Sequence, residues 1–162
     1  MSARIVQLNI SRGGVPKTAV AVARVTARGL DGDGHRDQEH HGGPDRAVCL
    51  YALEAVRGLQ VEGHDVGPGT LGENVTVEGL DWETVAPGAR LLLGDGVLLE
   101  VTRYTTPCTT IMRAFRDGEY SRVSHKRHPG WSRVYARVLR GGVLRPGDAV
   151  RVLDAREAAA PP

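Results

Sequence analysis

The segment RLLLGDGVLLEVT, residues 90–102, carries the clearest fold signal in the chain. Two apolar runs flank the turn residues GDG at 94–96, a combination typical of two strands joined by a tight turn. Val97, Leu99 and Val101 occupy every second position, so they face the same side of a strand. The segment therefore predicts a β-hairpin with one buried face.

Short apolar runs of the same kind recur on both sides of this hairpin. They predict strands at residues 4–10, 18–27, 47–51 and 75–77, and a second hairpin formed by residues 131–140 and 143–153. Helices are predicted at residues 52–62 and 105–116. The 21 glycines and nine prolines supply tight turns. The fold predicted is mainly β, a closed or partly closed β-barrel with a few short helices.

The length of 162 residues fits a single domain, which we assign to residues 1–153. Residues 154–162 are rich in alanine and proline and are predicted to be a disordered, frayed tail. We find no signal-peptide pattern and no apolar run long enough to span a membrane. The expected location is the cytoplasm, without a membrane partner.

The overall charge argues against a nucleic-acid partner. The formal net charge is +2, and there is no basic tail. Such a small charge gives no strong field for attracting phosphate backbones. Cys49 and Cys108 do not form a CxxC pair, so a disulfide framework is not expected and a reducing compartment fits.

Cys108 is the strongest candidate for chemistry. With Thr106 as the N-cap and Pro107 in the first helical position, the predicted helix places Cys108 near its N-terminus. Unpaired N–H groups and the helix dipole favour a thiolate there, which is the form that attacks electrophiles or binds a soft metal. An inert buried thiol is the alternative. For Cys49, within an apolar strand, that alternative is preferred.

The polar, glycine-rich loop at residues 29–46 is the second candidate, because eighteen-residue loops in compact domains usually carry function. Its imidazoles and carboxylates suit metal binding or acid–base chemistry, and its glycines allow close approach to an anion. A solvated polar loop is the plain alternative. The residues selected from it are Asp33, His40, His41, Gly42, Gly43 and Arg46.

Two further segments could contact a ligand. Asn74 could form side-chain hydrogen bonds to a heterocycle, although the local sequence favours a glycine-rich turn that enters a strand. Residues 113–133 hold six basic side chains against two acidic ones. This stretch could face phosphate groups or could simply be a solvated surface.

In combination, these motifs resemble the MOSC family, named after the C-terminal domain of molybdenum cofactor sulfurase. The order of the motifs is the specific feature, and they span residues 2–153. They are GLDGD (29–33), HHGGPDRAV (40–48), GEN (72–74), PC (107–108) and the closing RVL to GD segment (137–148).

The resemblance implies a barrel like the pyruvate kinase barrel domain and a role tied to the molybdenum cofactor, molybdopterin. In relatives that reduce N-hydroxylated compounds, the cysteine of the PC motif ligates molybdenum, which here is Cys108. Relatives often have arginine before that proline, whereas this chain has Thr106, so Arg103 or the basic stretch at residues 113–133 would have to replace it. With this resemblance, we expect Asn74 and Arg103 to hold the pterin or phosphate, and the loop at residues 40–43 to line the pocket mouth together with Asp33 and Arg46.

Several functions follow from this resemblance. The first is an oxidoreductase that acts on a small-molecule substrate. It would need an external electron donor, since the chain has no room for a ferredoxin domain. The chain also lacks a pyridoxal-phosphate domain, so we do not expect it to desulfurate cysteine by itself. The second is a persulfide carrier that receives sulfur from a donor protein on Cys108. The third is a catalytically silent binding barrel. A hydrolase using His40 or His41 is less favoured, because no ligand triad is evident. A homodimer is compatible with the sequence.

Overall fold

The structure is a computed structural model that describes residues 2–34 and 43–162. The described residues form eleven strands, most of them short. The strands are β1 (Arg4–Ile10), β2 (Thr18–Val20), β3 (Ala23–Thr26), β4 (Gly29–Leu30), β5 (Val48–Ala52), β6 (Val75–Glu78), β7 (Arg90–Leu93), β8 (Val97–Tyr104), β9 (Val134–Arg140), β10 (Gly142–Leu144) and β11 (Val150–Val152).

Eight of these strands form one mixed sheet in the order β11-β7-β8-β9-β5-β6-β1-β2. The pair β5 and β6 is parallel, and the other pairs in this sheet are antiparallel. The sheet also closes on itself, because Ile5 N–H donates to the Asp148 carbonyl at 2.8 Å and Val150 N–H donates to the Ala3 carbonyl at 3.1 Å. The strands from β11 to β1 therefore form a ring, with β2 attached outside it. The predicted mainly β barrel is confirmed.

The barrel interior is filled by the alternating side chains that the sequence marks as apolar. Val97, Leu99 and Val101 of β8 lie in it together with Val134 and Ala136 of β9, and all five are at most 2 % exposed. Each fully buried aliphatic side chain of this size contributes about 1.5–3 kcal/mol. The hairpin of β7 and β8 forms as predicted, with Leu93 opposite Val97.

A second, three-stranded sheet with the order β10-β3-β4 contradicts two strand predictions. The predicted strand at residues 18–27 is split, since β2 pairs with β1 while β3 pairs with β10. The predicted hairpin of residues 131–140 and 143–153 does not form, because β10 pairs with β3 and β11 pairs with β7. Gly141 packs so closely against the Val25 carbonyl that a Cβ there would lie 2.3 Å from its oxygen.

The helices lie outside the barrel. Helix α1 (Leu53–Val61) connects β5 to the parallel strand β6 and buries Leu53, Val56 and Leu59. The predicted helix at residues 105–116 is wrong in its first turn. Residues 105–108 have no regular secondary structure, and a 3-10 helix spans Thr109–Ala114.

Side chains from the end of α1 hold the segment that follows Cys108. Arg122 makes two hydrogen bonds of 2.8 Å to the Glu62 carboxylate, and its guanidinium lies 4.0 Å above the Trp131 ring. The backbone N–H of Arg116 donates to His64 Nδ1 at 3.0 Å. Ile111 and Phe115 are buried beside α1 in a second apolar cluster. These contacts fix the position of the 3-10 helix relative to the barrel.

The chain end differs from the frayed tail expected at residues 154–162. Residues Ala155–Ala158 form a short helix, α2, with a capping box between Asp154 and Glu157. Glu157 also pairs with Arg151 of β11 at 2.8 Å. Reciprocal capping satisfies backbone donors that would otherwise be unpaired, and this explains why so short a helix forms.

Neither α1 nor α2, nor any other helix in residues 2–34 and 43–162, has the length and hydropathy needed to span a bilayer.

Candidate functional site

A cavity of about 400 Å³ lies on the outer side of the barrel wall, where β5 and β9 are neighbours. Cys49 and Tyr135 are direct cross-strand partners, and both line the cavity. Because side chains alternate along a strand, these two point away from the interior that contains Val48 and Val134. The other lining residues used below are Lys17, Gly34, Arg46, Asn74, Thr106, Cys108, Thr110 and Arg133.

Cys108 is half-buried and lies at the wall of this cavity. It occupies the N-cap position of the 3-10 helix and has extended backbone angles, with φ −137° and ψ 176°. An N-cap side chain usually accepts from a backbone N–H of the first turn, but no such bond forms here. The Cys108 sulfur instead lies 2.9 Å from the Thr110 hydroxyl. A thiolate only accepts hydrogen bonds, so Thr110 would then be the donor.

Replacing Thr110 with valine is expected to slow alkylation of Cys108 by iodoacetamide by about fivefold, because a lost hydrogen bond of about 1 kcal/mol corresponds to that factor. The Thr110→Ser variant keeps a hydroxyl and is expected to react at the wild-type rate. Thr109→Val, at the exposed neighbouring position, is the matched control. Equal rates for wild type and Thr110→Val would show that the hydroxyl does not support the sulfur.

Cys49 differs from Cys108 in its surroundings. It is 6 % exposed, and burial raises the pKa of its thiol to about 12. The prediction that Cys49 is an inert buried thiol agrees with this environment. Cys49 nevertheless lies in the cavity wall rather than inside the barrel, so it contributes to the shape of the site.

We expect native protein to incorporate one alkyl group at neutral pH, on Cys108, and a second after unfolding. The reason is that a thiol with a pKa near 12 remains protonated at neutral pH, and the thiolate is the reactive form. Mass spectrometry of tryptic peptides distinguishes the two sites. Rapid labelling of Cys49 in folded protein would contradict the assignment.

Lys17 and Asp33 form a buried ion pair beside the cavity. The Lys17 ammonium lies 2.6 and 2.8 Å from the two carboxylate oxygens, and the side chains are 9 % and 1 % exposed. Asp33 also accepts from the Ser11 backbone N–H at 3.0 Å and from Asn74 Nδ2 at 2.9 Å. Asp33 therefore neutralises Lys17 and anchors the loop after β1, instead of lying at the pocket mouth as expected.

The Asn74 amide takes part in the same network. Its Oδ1 accepts from the Cys49 N–H at 2.9 Å, and its Nδ2 donates to Asp33 and, at 3.2 Å, to the Asn9 carbonyl. Both amide hydrogens thus have protein partners. Asn74 lines the cavity, but its amide ties β5 to the loop instead of projecting donors to a heterocycle.

Arg133 supplies the cavity with a buried cation. It is 7 % exposed, and its Nη1 donates to the Leu71 carbonyl at 2.7 Å. Its Nε is buried and has no hydrogen-bond partner among the described residues. The neighbouring carboxyl is that of Glu73, which is fully buried; burial raises its pKa, and the positive charge of Arg133 opposes this effect. One Glu73 oxygen is likewise without a described partner.

The structure gathers some of the residues selected from the sequence and separates others. Cys108, Asn74 and Arg46 line the cavity, and the Arg46 guanidinium lies 5.8 Å from the Tyr135 ring centre. Arg103 is exposed at the end of β8 and does not line the cavity. Gly43, with φ +93°, is exposed and also lies outside the lining. The selected residues His40, His41 and Gly42 fall outside the described residues.

Sequence reasoning missed Lys17 and Tyr135 and assigned no role to Thr110. It included Arg133 only as one of six basic residues in the segment 113–133 that could face phosphate groups. One usable signal was the alternation of polar and apolar residues at 133–137. It predicts that Arg133 and Tyr135 share the face opposite to Val134 and Ala136, which is the outer face of the barrel. No local pattern identifies Lys17, which reaches the site through the fold of the loop after β1.

Comparisons with known proteins agree with this architecture. YflK of Bacillus subtilis is 30% identical over 149 residues, which cover 91% of this chain and 66% of YflK. A protein named Reductase from Gibberella moniliformis is 32% identical over 136 residues, or 80% of this chain. The chain spans only 23% of that protein. The crystal structure of YiiM from Geobacillus stearothermophilus has a TM-score of 0.70 and 25% identity, covering 94% of this chain and 75% of that one.

The sequence model of the MOSC domain matches residues 37–151, which is most of the chain and includes strands β5 to β10, most of the cavity lining and Cys108. With the barrel, the PC motif and the relatives above in agreement, the chain belongs to the MOSC domain family.

Proposed function

We propose that this protein binds the molybdenum cofactor through Cys108 and reduces N-hydroxylated small molecules with electrons from an external donor. The observation that carries the proposal is the position of Cys108, whose sulfur shares a cavity of about 400 Å³ with a buried guanidinium. The named reductase among the relatives supports the same reaction class. Two free thiols are compatible with a cytoplasmic setting.

The residues present fit an anionic, thiolate-ligated cofactor. A thiolate is a soft ligand, and half-burial leaves the Cys108 sulfur accessible. The unpartnered Nε of Arg133 is a donor without an acceptor, which suits a ligand that brings oxygens. The nearby Lys17 is neutralised by Asp33, so the Arg133 charge is not matched by an ion pair within the described residues.

When bound, the cofactor would supply the redox chemistry, and the chain would orient it. Cys108 would provide the sulfur ligand, while the Thr110 hydroxyl holds that sulfur at the cavity wall. Burial raises the pKa of Tyr135 to about 12, so its phenol stays neutral and forms an uncharged part of the wall. The hydrogen bonds among Lys17, Asp33 and Asn74 would keep this part of the cavity lining rigid.

The test is to purify the protein from two hosts, one that makes molybdopterin and one that lacks its synthesis. We expect molybdenum by elemental analysis and pterin fluorescence after acid release, both near one per chain, from the competent host alone. Equal traces from both hosts would reject cofactor binding. Because the sample is the whole chain in each case, the comparison does not depend on a substrate.

A persulfide carrier is the second candidate, and the half-exposed sulfur of Cys108 favours it because transfer needs one accessible thiol. Mass spectrometry of protein incubated with a cysteine desulfurase and cysteine should then detect a sulfur adduct on the Cys108 peptide. An unmodified peptide under these conditions opposes this function. If neither cofactor nor sulfur adduct is found, a binding barrel without catalytic activity becomes the preferred hypothesis.

A further inference from the structure

We propose that Arg133 forms a dedicated oxyanion subsite in the cavity, which binds a phosphoryl group through its guanidinium even when no organic ligand is attached. The anion could come from two sources. If it is the phosphate of a bound cofactor, the proposal rests on the proposed function. Inorganic phosphate is the other source. Both present the same chemistry, a tetrahedral dianion with oxygen acceptors.

The hydrogen bonding of the buried Arg133 side chain is incomplete. Arg133 is 93 % removed from solvent, yet among the described residues only its Nη1 has a partner, the Leu71 carbonyl. Buried side-chain donors are normally satisfied, and an unsatisfied one costs about 1–3 kcal/mol, more when charged. Nε is left without an acceptor, so an entering oxyanion would remove this penalty.

The charges around the cavity also favour an anion. Lys17, another basic side chain of the cavity lining, is already held at 2.6 Å by Asp33. Glu73 makes no salt bridge to Arg133 in the described structure, and burial raises the pKa of its carboxyl. Among the described residues, the Arg133 guanidinium therefore has no ion-pair partner. A buried unpaired charge is strongly unfavourable, so a bound anion is the expected complement.

The free donor of the guanidinium also suits an oxyanion. Nη1 donates to the Leu71 carbonyl, whereas Nε has no acceptor among the described residues. A guanidinium can present two parallel N–H groups to oxygens of one phosphoryl group, which a lysine cannot do. The assignment also replaces Arg103, which the sequence suggested for this role, because Arg103 is exposed and outside the cavity lining.

The experiment measures binding of inorganic phosphate to cofactor-free protein by isothermal titration calorimetry, with chloride at equal ionic strength as the baseline. Wild type is expected to bind, whereas Arg133→Gln and Arg133→Lys should lose about 10-fold or more in affinity, since both lack the fork of donors. Arg57→Gln, at an exposed position on α1, is the matched control and should bind like wild type. Loss of binding in Arg103→Gln but not in the Arg133 variants would overturn the proposal.

Two further arms separate the sources of the anion and protect the test against misfolding. Guanosine monophosphate carries a ring resembling the pyrimidine part of a pterin, and guanosine lacks the phosphate. Tighter binding of the monophosphate than of inorganic phosphate identifies an organic phosphate as the ligand, and equal binding identifies the free ion. If Arg133→Gln does not fold, the affinities of Arg133→Lys and wild type for phosphate are compared instead. Wild-type protein that binds neither inorganic phosphate nor guanosine monophosphate would overturn the proposal.

Failure of this subsite and failure of the proposed function give different results. Protein that retains molybdenum from a competent host but does not bind phosphate would reject the Arg133 assignment alone. Protein that binds phosphate at Arg133 but contains no molybdenum would reject the cofactor proposal and retain the subsite.

Discussion

Replacing Cys108 with serine is expected to lower the rate of molybdenum-dependent reduction of N-hydroxylated compounds by at least about 100-fold. Substituting a residue that only hydrogen-bonds to a metal ligand typically lowers activity by up to about 100-fold, and loss of the ligand itself should cost no less. The reason is that a serine hydroxyl is a harder ligand and is far less easily deprotonated than a thiol. Activity should be measured with a reduced viologen dye as electron donor, which removes dependence on a partner protein.

Thr109→Val serves as the control for this substitution, because Thr109 is exposed next to Cys108 and does not line the cavity. Molybdenum content measured on the same samples separates loss of the metal from loss of turnover. Full activity in Cys108→Ser would contradict the assigned role of the sulfur, whatever the metal content.

Replacing Asp33 with alanine is expected to destabilise the fold by about 3–5 kcal/mol, the range seen when one partner of a buried ion pair is removed. Lys17 would be left buried and uncompensated, and the Ser11 N–H and the Asn74 amide would each lose an acceptor. Urea unfolding followed by circular dichroism gives the free energy of unfolding for wild type and variant.

The double variant Lys17→Met with Asp33→Leu tests the cause of that loss. If the unpaired ammonium is responsible, the double variant should be more stable than Asp33→Ala, since it removes both charges together. Asp31→Ala, at an exposed position close by in sequence, should change stability little. A loss below about 1 kcal/mol for Asp33→Ala would show that the pair is solvated in solution.

Much of the barrel was predictable because its strands have a local signature. In β8 the alternation of Val97, Leu99 and Val101 reflects one buried face, and the turn at residues 94–96 brings its partner β7 alongside. Where pairing is not between neighbours in sequence, prediction was wrong. Val143 looked like the second arm of a hairpin but pairs with Arg24 of β3, since a strand pattern specifies a buried face and not a partner.

The candidate site was predictable in its reactive atom and much less so in its surroundings. Cys108 was selected for its sequence neighbours and its motif, and it does line the cavity beside β5 and β9. Its predicted helical position was wrong, because residues 105–108 are not helical and the helix that follows Cys108 is of the tighter 3-10 type. The polar residues beside Pro107 favour a helix start, but the packing of Ile111 and Phe115 against α1 decides where it begins.

The sequence by itself determined that the chain is a β-rich barrel of this family, since alternating apolar residues and ordered motifs are local properties of the chain. Tertiary structure alone decided that Lys17 is neutralised by Asp33 and that the Asn74 amide is used internally. It also decided that the outer face with Arg133, and not Arg103, meets the cavity. These outcomes depend on which distant backbone segments meet and on which charges lose contact with water. Burial and pairing are properties of that assembled environment, so no short sequence pattern encodes them.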